Sequence, residues 1–231
     1  MMDFYDPWQE QLSPLIQRFN REAQASGKGI VWDFPEEVTS STFYRELTTG
    51  GLEKRLRVPF WELAKPKKND RCLDVACGGD FFFYPWTEWQ ANFWGQVLSP
   101  ALAKVINSRA PQLNSKLFKG VRVAAAHRLD YEENFFDLVL ALGLSYYMPL
   151  DYSAQVLIEI RRVVKPGAPV LFEVVEPNSP WIDAWGLMEM AKGTEVYFTE
   201  LEDWETTFKQ VGSQIQSSKA GELFRTYLLT F

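Results

Sequence analysis

The strongest constraint on the fold is an alternation of short apolar runs with amphipathic helical segments. Nearly continuous apolar runs predict strands that are buried on both faces, as in a parallel sheet. Five such runs lie at Arg71–Ala76, Asn92–Leu98, Val121–Ala126, Phe136–Leu142 and Pro169–Val175. Alternation of this kind predicts an α/β fold with a doubly wound, mostly parallel Rossmann-like sheet and helices on both faces.

The chain before this pattern is less regular. Ser13-Pro14 predicts the start of a helix, because serine is a good cap and proline suits the first helical position, and Gly27 predicts its end. Residues 30–50 predict a loop with short helical pieces, and Pro59 predicts one further helix. We interpret residues 1–58 as a helical and loop segment that forms a lid, and residues 59–231 as the α/β domain.

The chain after the pattern predicts more helices and a change of strand direction. Before the fifth run, Asp151 predicts a helix cap. After that run, Ser179-Pro180 predicts a helix start, and Thr199 with Glu202 predicts a capping box for a later helix. Two strands around a turn at Gly221 then predict an antiparallel hairpin that closes one edge of the sheet. These strands lie at Ser213–Ser218 and Glu222–Thr230.

Charge and composition exclude several classes of ligand and partner. The net charge of −6 argues against a nucleic-acid backbone as partner, because phosphate contacts need clustered lysine and arginine. The chain contains 17 phenylalanines, 9 tryptophans and 9 tyrosines, which fill a core or line a pocket for an apolar or cationic ligand. Two cysteines and His127 are too few for a closed Cys/His zinc site, so no metal is expected. No signal peptide or membrane span is predicted, and we expect a cytoplasmic protein.

One strand leads directly into a glycine-containing turn, in the segment RCLDVACGGD at Arg71–Asp80. A nucleoside cofactor needs this arrangement, because small residues let the main chain come close and free N–H groups bind acidic groups. Many ordinary turns also contain two adjacent glycines, so a purely structural turn is the alternative at this point.

Five segments in order resemble the class I S-adenosylmethionine-dependent methyltransferases over about residues 60–231. AKPKKNDRCLDVACGGD resembles the first strand and glycine-rich turn of that family, and FWGQVLSPALAKVINSRAP resembles its second strand and helix. AAAHRLDYEENFFDLVLALGLSYYMP is similar to its third loop and fourth strand. LIEIRRVVKPGAPVLFEVVEP and FTELEDWETTFKQVGSQI are similar to its later helices and strands.

The resemblance implies S-adenosylmethionine as cofactor and assigns residues to its site. The residues at cofactor-binding positions are Asp74, Ala76, Cys77, Gly78, Val97, Leu98, Ala126, His127 and Leu142. Tyr146 and Tyr147 follow the fourth strand, where the family often places groups near the reacting methyl, and Tyr44 belongs to the lid segment. We expect these three tyrosines on the substrate side, against the alternative that they only pack on the sheet. No catalytic residue is assigned.

The sequence departs from the family at four specific positions. The third glycine of the turn is Asp80, whose carboxylate repels the carboxylate of the cofactor unless it turns away and caps a helix. Pro85 cannot sit deep in a helix, so the first helix must start late or bend. Val97 replaces the acid that binds the ribose hydroxyls, and Ala125 replaces an aspartate near the adenine. Each lost polar partner costs about 1–3 kcal/mol.

The leading hypothesis is an enzyme that transfers a methyl group from S-adenosylmethionine to a small apolar or aromatic molecule. The alternative is a methyltransferase-like protein without catalysis that acts as a binding or assembly partner, which Asp80, Val97 and Ala125 favour. A nicotinamide-dependent oxidoreductase fits poorly, because the Gly-x-Gly-x-x-Gly pattern is absent. Neither the methyl acceptor nor the oligomeric state is predicted by the sequence.

Overall fold

The computed structural model describes residues 6–25, 32–114 and 116–231. Its helices are α1 (Gln9–Ala25), α2 (Glu36–Thr39), α3 (Thr42–Thr48), α4 (Glu53–Leu56), α5 (Trp86–Trp89), α6 (Pro100–Asn114), α7 (Leu150–Val163), α8 (Ile182–Ala191) and α9 (Leu201–Gln210). Its strands are β1 (Arg71–Asp74), β2 (Asn92–Val97), β3 (Phe118–Val123), β4 (Leu138–Ala141), β5 (Val170–Val175), β6 (Gln214–Ala220) and β7 (Phe224–Thr230). Within the described ranges, no helix is long and apolar enough to cross a lipid bilayer.

The seven strands form one sheet in the order β3-β2-β1-β4-β5-β7-β6. Strands β1 to β5 pair in parallel, and β7 pairs antiparallel with both β5 and β6. The strand order reverses between β1 and β4, and ligands of such sheets bind at the carboxyl ends of strands flanking this point. The predicted fold class, including the C-terminal antiparallel hairpin, is confirmed.

Apolar side chains cover both faces of the sheet. Strand residues Leu73, Val139 and Phe172 lie in a core formed with α1, α7 and α9. The neighbouring residues Cys72 and Leu138 lie in the opposite core, which α6 and the aromatic segment after β1 cover. A third, aromatic cluster joins α3 and α8 to the start of β7. Alternate residues of each strand therefore enter separate cores, which explains why the strands read as continuous apolar runs.

Several predicted boundaries were wrong. Helix α1 begins at Gln9, four residues before Ser13, and its Pro14 lies inside the helix. Asp6 explains the earlier start, because its carboxylate accepts a hydrogen bond from the main-chain N–H of Trp8 at 3.0 Å. The predicted end of this helix, at Gly27, lies outside the described residues. Pro59 begins only one 3-10 turn, at Phe60–Glu62, and β3 begins three residues before Val121.

The predicted helix caps at Asp151 and at Thr199 with Glu202 were also wrong. The first cap is Pro149 and the second is Glu200, and neither makes a side-chain capping bond. Ser179 accepts a hydrogen bond from Trp181 N at 3.1 Å, but α8 begins only at Ile182. Packing of the apolar helix faces fixes these ends, because tertiary burial outweighs a single cap.

The segment after the glycine turn contains no long helix. A 3-10 turn at Gly79–Phe83 is followed by α5, a single turn that begins directly after Pro85. The predicted late start of the first helix is confirmed. Phe81 and Trp89 instead fill the core above Phe93. Between β1 and β2, where the structure describes every residue of the main chain, no multi-turn helix follows the glycine turn.

Candidate active site

A pocket with an empty volume of about 630 Å³, open to solvent, lies at the carboxyl ends of β1, β2 and β4. The lining residues that the sequence had placed at the cofactor or substrate positions are Ala76, Cys77, Gly78, Val97, Leu98, Ala126 and Tyr147. The fold brings these seven residues together from four separate segments of the chain.

The glycine turn forms one wall of the pocket. A Cβ atom added at Gly78 would have no described atom within 4 Å, so the turn faces open space. Asp74 does not line the pocket, because its carboxylate accepts hydrogen bonds from Tyr84 Oη at 2.9 Å and from Ala76 N at 3.2 Å. Burial raises the pKa of Asp74 to about 7, although both hydrogen bonds lower it. Asp74 therefore stabilises the turn without lining the pocket.

The opposite wall is apolar. Val97 and Leu98 end β2, Ala126 follows β3, and no carboxylate stands at the position of Val97. Apolar walls suit the faces of an adenine ring, because such sites gain free energy from buried area and need few polar contacts. The lining therefore fits the adenine part of an adenosyl ligand and lacks a side-chain acceptor at the position of Val97 for the ribose hydroxyls.

A charged group flanks the pocket where the glycine turn approaches β4. Arg57 Nη1 donates to Asp80 Oδ2 at 2.8 Å, and Arg57 Nε lies 3.4 Å from Glu173 Oε2. Glu173 Oε1 in turn accepts from the main-chain N–H of Gly143, a pocket residue, at 3.2 Å. Burial raises the pKa of Glu173, and Arg57 lowers it. The Asp80 carboxylate turns toward Arg57 and caps no helix.

A second charged group fixes Tyr147, whose ring lines the pocket. Tyr147 Oη donates to Glu189 Oε2 at 2.7 Å, and Arg18 Nη1 contacts the same carboxylate oxygen at 2.6 Å. Burial raises the pKa of Glu189, but Lys192 and Arg18 lower it by more, so the carboxylate stays charged at neutral pH. The hydroxyl of Tyr147 is therefore held by an ionised acceptor, and the ring has a fixed orientation.

Four further predicted residues lie outside the pocket lining. Leu142 packs against the core around α6, and Tyr44 packs on Phe34 with ring centroids 5.7 Å apart. Tyr146 is buried in the third cluster, stacked on Phe224 at 5.4 Å. The ring of His127 is buried, and burial lowers its pKa more than the neighbouring Asp6 raises it. Ala125 packs beside the first core.

Residues of α1 line the pocket, although sequence reasoning had not assigned them to a site. Leu12, Leu15 and Phe19 lie on one face of that helix and form a further wall of the pocket. Asn20 fastens the helix there, because its Oδ1 accepts from Ser99 Oγ at 2.7 Å and from Ala101 N at 3.1 Å. The helical spacing of the apolar residues was a visible signal, but it did not say which surface this face would cover.

Comparison with known proteins agrees with this geometry. The family model described as a methyltransferase domain matches residues 73–172. A ubiquinone/menaquinone biosynthesis C-methyltransferase, UbiE, of Cupriavidus metallidurans is 27% identical over 164 residues, which cover 69% of this chain and 64% of that protein. A demethylmenaquinone methyltransferase of Lactiplantibacillus plantarum is 35% identical over 121 residues, 49% of each chain. The chain thus spans less than two thirds of the Cupriavidus relative.

Solved structures show the same fold. The 1,6-didemethyltoxoflavin-N1-methyltransferase of Burkholderia thailandensis, with bound 1,6-didemethyltoxoflavin and S-adenosylhomocysteine, aligns over 100% of this chain and 92% of its own. Its TM-score is 0.61 at 16% identity. A methyltransferase of Methanosarcina mazei aligns over 76% of this chain and 98% of its own, with a TM-score of 0.59 at 13% identity.

A sheet of this order, with a glycine turn after β1 and a pocket at the switch in strand order, defines a Rossmann-like nucleoside-binding fold. The methyltransferase-domain match covers residues 73–172, and the fold is the one that the class I S-adenosylmethionine-dependent methyltransferases share. The cofactor of that class is S-adenosylmethionine. The pocket suits that molecule through its apolar adenine wall, and it departs from the family at Val97.

Proposed function

We propose that this protein transfers a methyl group from S-adenosylmethionine to a small apolar or aromatic molecule. The apolar lining of the pocket carries the proposal. Three rings line it, those of Phe19, Tyr147 and Tyr152, and most of the other lining side chains are aliphatic. The Cupriavidus and Lactiplantibacillus relatives are named for quinone methylation, which supports an acceptor of this kind. The net charge of −6 opposes a nucleic-acid acceptor.

The chain contributes binding and orientation to this reaction. Bound S-adenosylmethionine supplies an electrophilic methyl group on its sulfonium. Ala76, Cys77 and Gly78 hold the main chain of the turn against the cofactor, and Val97, Leu98 and Ala126 exclude water from its adenine. Glu189 and Arg18 fix Tyr147 beside the pocket, and a fixed ring wall restricts the orientations of an acceptor.

We further propose that residues 1–58 act as a cover over the α/β domain of residues 59–231. Helix α1 contributes Leu12, Leu15 and Phe19 to the pocket, and Trp8 Nε1 donates to Gln155 Oε1 of α7 at 3.0 Å. These contacts support a role of the N-terminal segment in closing the site. Tyr44 takes part through its packing on Phe34, and it is not among the residues that line the pocket.

Binding without turnover is the second candidate function. The pocket offers no carboxylate at Val97, and the Ala125 position adds no polar group, so two contacts that anchor the cofactor in the family are absent. A loss of about 1–3 kcal/mol for each contact lowers affinity about tenfold or more. Such a protein would hold an apolar or adenosyl ligand and serve as a binding partner.

Transfer of methyl label separates these candidates. The protein is incubated with methyl-labelled S-adenosylmethionine and a set of phenols and hydroquinones, and label is counted in the organic phase. We expect transfer by the wild type and loss of transfer in Ala126→Phe, which fills the pocket. Val123→Phe is the matched control, because Val123 is 50% exposed and lies outside the pocket lining.

The proposal fails if the wild type binds S-adenosylhomocysteine and transfers no label to any apolar acceptor. That result favours the second candidate function, binding without turnover. Equal transfer by Ala126→Phe and the wild type, with both folded by circular dichroism, would show that the reaction does not use this pocket.

A further inference from the structure

The glycine turn of this chain is followed by a charged pair in the place of a long helix. The turn runs into the short 3-10 turn at Gly79–Phe83 and then into the single turn of α5. A helix of several turns presents a partial positive charge at its N-terminus, and this is one way in which a fold binds an anionic group. A ligand that ends in a carboxylate needs another source of positive charge here.

Arg57 is held in position to provide that charge. The main-chain oxygens of Arg55 and Leu56 accept hydrogen bonds from the N–H groups of Glu222, at 2.8 Å, and Leu223, at 3.0 Å. Gly221 permits this approach, because a Cβ atom at that position would lie 2.5 Å from Leu56 O. The turn between β6 and β7 thus fixes the segment that carries Arg57.

The guanidinium of Arg57 has partners on three sides. It pairs with Asp80 at 2.8 Å, it lies 3.4 Å from Glu173, and its Cζ stands 4.9 Å from the ring centroid of Phe224. Glu173 is buried, whereas the side chain of Asp80 is 66% exposed. Among the described residues, no hydrogen bond occupies Arg57 Nη2. Glu173, the inner carboxylate, therefore anchors the arginine. The outer pair, Arg57 with Asp80, is exposed enough for a ligand to replace it.

Both charges of the outer pair stand next to the pocket. Asp80 follows Gly78 by two residues in the turn, and Glu173 binds the N–H of Gly143. Gly78 and Gly143 both line the pocket. A guanidinium and a carboxylate side by side match a free amino-acid group, in which a carboxylate and an ammonium share one carbon, since charge-assisted bonds are the stronger ones.

We propose that Arg57 and Asp80 bind the amino-acid end of the cofactor, Arg57 its carboxylate and Asp80 its ammonium. This proposal rests on the proposed function, because it places the adenosyl part in the adjacent pocket. The pair at 2.8 Å opens, and each member takes the oppositely charged group of the ligand. The aspartate in the place of the third glycine then supplies a ligand contact. The repulsion expected from the sequence is offset by Arg57.

Two ligands that differ only at the amino-acid end test this assignment. S-adenosylhomocysteine carries the amino-acid group, and 5′-methylthioadenosine is the same nucleoside thioether without it. Dissociation constants are measured by calorimetry for the wild type, Arg57→Met and Asp80→Asn. We expect either variant to weaken binding of S-adenosylhomocysteine about tenfold or more, as for loss of a hydrogen bond to a charged group. Binding of methylthioadenosine should change less than about twofold.

Two further variants act as controls. Arg55→Met removes a more exposed arginine two residues away, whose partners Glu46 and Glu222 are also exposed, and it should change neither constant. Arg57→Met leaves Glu173 buried without its cation, which threatens the fold. The double variant Arg57→Met with Glu173→Gln removes that unpaired charge, and it should show the same selective loss.

Three results would overturn the proposal. Unchanged affinity for S-adenosylhomocysteine in Arg57→Met or in the folded double variant would remove Arg57 from the site. Tighter binding by Asp80→Asn would mean that Asp80 repels the ligand. A wild type that binds neither nucleoside overturns the proposed function together with this inference, whereas equal losses for both nucleosides overturn the inference alone.

Discussion

Two arginines stand near the same pocket, and they differ in burial. The side chain of Arg18 is 3% exposed, and its partner Glu189 is 4% exposed. The side chain of Arg57 is 34% exposed, and its outer partner Asp80 is 66% exposed. Arg18 also bonds Glu22 and Thr194 and lies over the ring of Tyr147. One arginine is enclosed by fixed partners, and the other has an open side.

The difference shows how burial decides what an ion pair does. A buried pair is costly to break, because removal of one partner leaves a charge without solvent. An exposed pair is worth little by itself, so a ligand can replace it at small cost. The Arg18 group therefore holds α1 to α8 and orients Tyr147, while the Arg57 group is available for a ligand. Three substitutions test this contrast.

Removal of Glu189 should have the largest effect. Glu189→Ala leaves Arg18 buried without its main carboxylate, and we expect the free energy of unfolding in urea to fall by about 3–5 kcal/mol. The replacement of both charges by apolar residues, in Arg18→Met with Glu189→Leu, should recover most of this loss. The exposed pair of Glu62 with Lys219 is the control, and Glu62→Ala should cost less than about 1 kcal/mol. Equal losses for Glu62→Ala and Glu189→Ala would contradict the contrast.

Asp74 sharpens the contrast, because it is a buried carboxylate whose described partners include no cation. Its pKa rises from 3.8 to about 7 in the folded protein, whereas the pKa of Glu189 is lowered. A raised folded-state pKa stabilises the fold below the unfolded value, and this contribution is lost as the pH rises through the folded value. The stability of the wild type relative to Asp74→Asn should fall by up to about 4 kcal/mol between pH 4 and pH 7.

Urea unfolding of both proteins at several pH values in this range measures the difference. Groups common to the two proteins cancel in the comparison, so the remaining slope belongs to Asp74. A difference that stays constant with pH, or one that favours the wild type as the pH rises, would show that Asp74 is ionised in the fold.

The third substitution acts on the segment that carries Arg57. Gly221→Ala places a Cβ atom 2.5 Å from Leu56 O, and we expect a loss of about 1–3 kcal/mol in unfolding free energy. Because the substitution displaces the segment that carries Arg57, the variant should also bind S-adenosylhomocysteine more weakly. Gly51→Ala is the matched control, because its nearest contact is the side chain of Arg55 at 3.6 Å. A Gly221→Ala protein with wild-type stability and affinity would mean that Arg57 needs no such support.

The sheet was predictable from the sequence because its strands are buried on both faces. Five apolar runs, separated by helical periodicity and followed by two strands around Gly221, define the order of elements without knowledge of side-chain contacts. Helix ends were less predictable. Asp6 moved the start of α1 toward the N-terminus. Thr199 and Glu202 matched a capping box that does not form, because burial of Trp204 and Phe208 fixes α9.

The candidate site was predictable only where the main chain forms it. The turn at Ala76–Gly78 followed from its place after β1, and the residues at the ends of β2 and β3 followed from the resemblance to the methyltransferase family. Arg57 could not be assigned, because its nearness to Asp80 and Glu173 depends on a contact between residues 56 and 223, which lie far apart in sequence. The wall formed by α1 was hidden for the same reason. Long-range packing leaves no local signal in the sequence.

A crystal structure with bound S-adenosylhomocysteine tests the central claim most directly. The account predicts the adenine between α1 and the ends of β2 and β3, near Leu12, Val97 and Ala126. It also predicts the amino-acid end between Arg57 and Asp80, with the direct bond between these two side chains broken. Density for the ligand at another site, or in this pocket with the Arg57–Asp80 pair intact, would contradict it.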